Sequence, residues 1–147
     1  MSTNPTPVTF DRVEAVMATR EITLVRDEAR EIAQANLNGY TVIFAILGSV
    51  LVVRADAATD IPSDDANATL YLAANQVNST SFGARAVIVN KAENLIVRTE
   101  RELPIAAGLN DEQLSHTLQS AVDAVLAAQD GLVAVVEQLD QLMEGND

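Results

Sequence analysis

Residues 36–56 read NLNGYTVIFAILGSVLVVRAD, and this stretch decides the fold. From Tyr40 to Val53 it is apolar enough to suggest a membrane span. It is too short for one, because a spanning helix needs roughly 20 apolar residues, and Gly48-Ser49 breaks the run. Its residues are β-branched and aromatic, as strands prefer. Asn38-Gly39 supplies the two positive-φ positions of a type I′ turn. The segment therefore reads as two strands folding back at Gly48-Ser49, with QANL (34–37) pairing in front of them. Tyr40, Val42, Phe44 and Ile46 share one face of the middle strand, and Thr41, Ile43, Ala45 and Leu47 share the other. Both faces are largely apolar, so this strand is expected to be central and covered on both sides, or on one side by a partner.

Upstream, Thr9 is a candidate N-cap, and Val8 and Val13 stand at the positions of a hydrophobic staple. Phe10, Val13, Val16 and Met17 then keep helical spacing, and the helix is expected to end near Arg20. Residues 21–37 are open between one strand and two, and 26–34 would pass for helix on propensity alone. The start, MSTNPTP, has neither a basic nor an apolar signal region. Residues 1–8 are expected to be a disordered lead, and 9–147 a single domain.

Downstream, AATDIPSDDAN (57–67) reads as a loop. A helix is expected from Asp64 to Asn78, with Ala66, Leu70, Ala73, Ala74 and Val77 facing inward. ARAVIVN (84–90) and NLIVRTERE (94–102) form a second hairpin that Pro104 ends. Gly108 turns the chain, and Asn110 with Gln113 makes a capping box for a helix from Asp111 to Met143. That helix carries a seam of Leu114, Leu118, Ala121, Val125, Ala128, Leu132, Val135, Leu139 and Leu142 in steps of four and three. A second line holds Val122, Leu126, Val133, Val136 and Met143, and Gly131 is a candidate kink. The two lines make a face broader than one sheet contact requires. The fold class is α+β, in the order α-β-β-β-α-β-β-α, with an antiparallel sheet of about five strands.

Composition narrows the function. The 147 residues are 48% apolar but only 3% aromatic, without tryptophan, so the core is aliphatic and base stacking or sugar stacking has little to work with. Net charge is −12, with Lys91 the one lysine beside eight arginines. Nucleic acid and anionic membranes need a basic stripe, and there is none. The chain has no cysteine, which removes thiolate catalysis, disulfides and Cys-type zinc sites and fits a cytoplasmic protein. No phosphate-binding loop, dinucleotide fingerprint or nucleophile elbow is present. No cofactor and no metal are expected.

The remaining polar groups have ordinary readings beside chemical ones. His116 follows Glu112 by one turn, a geometry open to proton transfer, but an exposed surface histidine explains it as well. Asp56, Asp60, Asp64 and Asp65 suit a hard cation in type, yet lack the order of an EF-hand loop and read as a solvated loop. Arg54, Arg85, Arg98 and Glu100 lie near strand ends. They read as a cross-strand ion-pair ladder, or alternatively as the grip of a small anionic ligand sensor. Asn75 and Asn78 fall on one helix face.

Asn75 and Asn78, the strands of 84–102, and the Gly108 to Leu114 opening of the last helix resemble the C-terminal half of YbjN-domain proteins, bacterial proteins labelled sensory transduction regulators. The resemblance covers residues 9–140 in element order and is specific from about 70 to 126. Many family members have a tryptophan beside the second asparagine, and this chain does not. The resemblance implies a type III secretion chaperone-like fold, a homodimer, and a non-catalytic, protein-binding role with no catalytic residues to carry over. It also implies that Asn75 and Asn78 tie the second helix to the hairpin and that Arg98 and Glu100 pair across strands. The surplus apolar face places partner contacts at Val125, Leu132, Val136, Leu139 and Met143.

Overall fold

The computed structural model describes residues 4–27, 29–65, 67–80 and 83–144. The elements are α1 (Phe10–Ala18), β1 (Val25–Asp27), β2 (Ile32–Leu37), β3 (Tyr40–Leu47), β4 (Val50–Pro62), α2 (Thr69–Thr80), β5 (Arg85–Val89), β6 (Asn94–Pro104) and α3 (Asp111–Glu144). The strands form one antiparallel sheet of six, in the spatial order β1-β2-β3-β4-β6-β5. The meander is as expected, with Asn38 (φ 54°) and Gly39 (φ 84°) at its first turn.

Three expectations change. The sheet has six strands rather than about five, because residues 21–37 form two. β1 is only three residues long and exposed throughout, so no hydrophobic alternation announces it. β4 does not stop at Asp56: it runs to Pro62 through an irregularity between Ala58 and Pro62, and the segment expected as a loop is largely strand. α2 accordingly begins at Thr69, where Asn67 Oδ1 accepts from the Thr69 N–H at 2.9 Å. Ala66, expected on its inner face, lies outside the described residues.

The helices cover one face of the sheet. Val42, Ala55, Thr99 and Ala86 stand side by side on β3, β4, β6 and β5 and point into the core. The first part of the core packs Val13 and Met17 of α1 and Leu114, Leu118, Ala121 and Val125 of α3 onto Phe44, Leu51, Val53 and Leu103. The second packs Leu70, Ala73, Ala74 and Val77 of α2 with Ala128 and Leu132 of α3 onto Ala86, Leu95 and Val97. β3, expected to be covered on both sides, is covered by helices on one: its even residues meet them, and its odd residues face away.

The helix ends follow from local chemistry. Thr9 caps α1, its side chain accepting from the Arg12 N–H at 3.3 Å. Asn110 and Gln113 cap α3 reciprocally, at 2.8 and 2.9 Å. Gly108 (φ 76°) sets up that start, and a Cβ there would lie 2.6 Å from the Thr6 carbonyl. The described part of the lead, residues 4–8, is attached rather than loose: Thr6 bridges to Leu109, Arg12 donates to the Thr6 and Pro7 carbonyls, and Val8 is buried.

α3 has 34 residues and runs unbroken through Gly131. It is long and apolar enough to cross a bilayer by length and composition. Its seam from Leu114 to Leu132 is nonetheless buried on the sheet, as in the core helix of a globular domain.

Candidate functional site

The bare face of the sheet carries the arginines. Ile43, Arg54, Glu100 and Arg85 form one row across four strands, and Thr41, Asp56, Arg98 and Val87 form the next. Glu100 sits between two cations: Arg54 reaches one carboxylate oxygen at 3.3 Å, and Arg85 bonds the other. Arg98 grips both oxygens of Asp56, at 2.9 and 3.1 Å. The expected cross-strand ladder is there, and register settles its pairing by placing Arg98 opposite Asp56 and Glu100 opposite Arg54. Arg54, Asp56, Arg98 and Glu100 lie within β4 and β6 rather than at strand ends, whereas Arg85 opens the edge strand β5 as expected.

Burial alone would push the Glu100 carboxyl up, but Arg85 and then Arg54 outweigh it and hold the group below the ordinary carboxylate value. The hydrogen bond to Asp56 keeps the Arg98 guanidinium above its usual range. An incoming anion would have to displace Glu100 or Asp56 from these cations. The arrangement therefore works first as a cross-strand clamp.

The other face carries an apolar surplus at one end. Of the expected partner residues, Val125 and Leu132 are core side chains and are not available to a partner, a correction to the reading from the sequence. The seam they belong to faces this chain's own sheet. Val136 and Leu139 are half-buried against the second part of the core. Beyond Leu132 the large apolar residues of α3 that are exposed are Val133 (48%), Leu142 (67%) and Met143 (59%). Beside Val133 and Val136 a cleft opens between α3, the first turn of α2 and the sheet, with Tyr40, Ala57 and Leu70 in its walls. Tyr40 donates its hydroxyl to Asp130 at 3.1 Å, and burial followed by this bond raises the phenol above its usual value.

Gln129 closes the inner end of the cleft and is 1% exposed. Its Nε2 donates to the carbonyls of Ala55 and Val97 at 2.9 and 3.0 Å. Nearby, the buried Thr99 hydroxyl donates to the Val125 carbonyl at 2.7 Å. These contacts fix where α3 lies along the sheet. The sequence held a signal for them: a glutamine on the buried stripe of Val122, Val125 and Leu132, and a threonine alternating with Leu95 and Val97.

Both sheet edges are blunted. Asn78 tied α2 to the hairpin as expected, and it does so as a peptide group would: its Nδ2 donates to the Ala86 carbonyl at 2.9 Å, and the Ala86 N–H donates to its Oδ1 at 2.7 Å. Asn75 has no such role; it is exposed, and its carbonyl accepts from Ser79. At the opposite edge β1 is short, and Arg26 is held by Asp11 and Glu14 of α1. His116 is exposed, without a carboxylate partner among the described residues. Those residues also contain no group of three or more His, Cys, Asp or Glu able to hold a metal.

The family model described as "YbjN: Putative bacterial sensory transduction regulator" matches residues 9–133. Among solved structures, "YbjN, a putative transcription regulator from E. coli" superposes with a TM-score of 0.65 at 11% identity, covering 95% of this chain and 97% of that one. The HopA1-SchA chaperone-effector complex contains a chain that superposes with a TM-score of 0.56 at 14% identity, covering 86% of this chain and 98% of that one. At these identities both likenesses speak to the fold, which is type III chaperone-like. No curated protein sequence matches the chain.

Proposed function

The chain belongs to the YbjN family, and on that footing we propose that it is a non-catalytic protein-binding module, regulatory or chaperone-like, acting as a homodimer in the cytoplasm. The observation that carries this reading is the apolar line of α3 beyond Leu132, where Val136, Leu139 and Met143 follow one another at helical spacing from half-buried to exposed. Such a stripe is what helix-in-groove recognition uses, and exposed apolar patches of this kind mark interaction sites. That one neighbour of the same fold is a chaperone in an effector complex supports a protein as the partner. The engagement of Arg54, Arg85 and Arg98 by carboxylates supports a scaffold role for the charged face rather than chemistry there.

Self-association is assigned to the last turn of α3. Leu142 and Met143 are exposed, so replacing both with Asp leaves the core untouched. Light scattering on purified protein is expected to give a dimer for the wild type and a monomer for the double variant, with unchanged circular dichroism. Co-precipitation from source-cell lysate is expected to lose its partner in the variant. A wild type that is monomeric and captures nothing sinks the reading.

A further inference from the structure

The cleft beside α3 deepens that reading and rests on it. Its volume is about 220 Å³, and Tyr40, Ala57, Leu70, Leu132, Val133 and Val136 form most of its wall. Pockets for drug-sized molecules run from ~300 to ~1,000 Å³. This one suits a side chain or two, presented by something larger.

Charge narrows what presents them. Glu137 is the one charged residue in the wall, and Asp130 sits at the rim against the Tyr40 hydroxyl. Asp140 and Glu144 follow on the same helix, and the chain has no Lys or Arg after Arg101. The arginines are committed elsewhere. Arg54, Arg85 and Arg98 pair with carboxylates on the opposite face of the sheet, Arg12 pairs with Asp111, Arg26 with Asp11 and Glu14, Arg30 with Asp27, and Arg101 and Arg20 bond Ser120 and Ser115. The rim is therefore uncompensated and acidic.

The edges bear on the mode of binding. Asn78 already occupies the Ala86 main-chain groups of β5, and β1 is three residues long. Strand addition finds little to pair with at either edge. We infer that the cleft seats apolar side chains of a basic amphipathic segment from a partner protein, whose lysines or arginines meet Asp130, Glu137 and Asp140.

The test uses the full chain and two labelled helical peptides with the same leucine and phenylalanine positions. One carries lysine at the polar positions and the other glutamate. Anisotropy is expected to show salt-sensitive binding of the lysine peptide only. Amide shifts are expected at Tyr40, Leu70, Val133 and Val136. Glu137→Lys, at an exposed position, is expected to weaken the lysine peptide about tenfold, roughly 1.4 kcal/mol, and to improve the glutamate peptide. Equal binding to wild type and Glu137→Lys overturns the inference, as do shifts that map to the acidic loop around Asp64 and Asp65. Binding of both peptides in the cleft removes the charge assignment and leaves a protein-binding module standing. If neither peptide binds, the inference falls, while the parent reading stands or falls on light scattering.

Discussion

Replacing Gln129 with leucine isolates the polar contacts that hold α3 on the sheet. The side chains are of similar size, so little cavity is created. Two hydrogen bonds are lost, at 2.9 and 3.0 Å to the Ala55 and Val97 carbonyls. At about 1 kcal/mol net each they total about 2 kcal/mol. Leucine recovers roughly 0.8 kcal/mol through added apolar burial. The expected loss is about 1 kcal/mol, or a Tm lower by about 2–4 °C for a chain of this length. Gln129→Ala removes the same bonds and leaves a cavity, so it is expected to cost about 3–4 kcal/mol. Urea unfolding followed by circular dichroism, at one fixed protein concentration because association shifts the midpoint, measures both. The alanine variant then reports packing and the leucine variant the hydrogen bonds. If the leucine variant melts at or above the wild type, the carbonyls have no need of Gln129 and the reasoning is refuted.

Glu100→Gln is expected to cost about 1 kcal/mol at neutral pH, kept small because the Arg54 and Arg85 side chains are 32% and 64% exposed to screening water. The Glu100 pKa is lowered in the fold, so its stabilisation is present above the unfolded value near 4.3 and is lost as pH falls through the folded value. The gap between wild type and variant should therefore be flat above about pH 5 and close below about pH 4; a gap that widens in acid contradicts the pairing. Gly108→Ala combines a φ of 76° with a Cβ 2.6 Å from the Thr6 carbonyl, so it should lower stability by about 2 kcal/mol or more and release the lead to proteolysis. Gly131→Ala meets open space inside a helix and should raise stability by about 0.5–1 kcal/mol in the same melts.

The elements with strong local signals are legible in the sequence. Asn38-Gly39, the β3 alternation, and the Asn110–Gln113 capping box each stand where their chemistry put them. What escaped depended on neighbours distant in sequence. β1 has no buried side to announce it, and β4 extends past Asp56 only because β6 lies beside it as far as Asn94. The ion-pair residues were named correctly, but which cation meets which carboxylate is a matter of register, and one residue of slip reassigns every pair. The same holds at the candidate site. The two apolar lines of α3 suggest a surplus face by their breadth, whereas the sheet takes Val125 and Leu132 for itself. The cleft could not be foreseen, since its walls come from β3, β4, β6, α2 and α3 together.

α3 also has a mechanical side. At 34 residues it is about 50 Å long, buried in the core as far as Leu132, half-buried on its inner side at Val135, Val136 and Leu139, and exposed over its last turn. It is a beam clamped at one end. A partner landing on the free end meets a surface whose shape folding has already set, so less conformational freedom is given up on binding than with a loop. A load there is carried back along the helix as a torque. Its first bearing points are Leu139 and Val136, and behind them the polar contacts of Gln129 and Thr99, where occupancy of the tip should register as slowed amide exchange in the strands beneath.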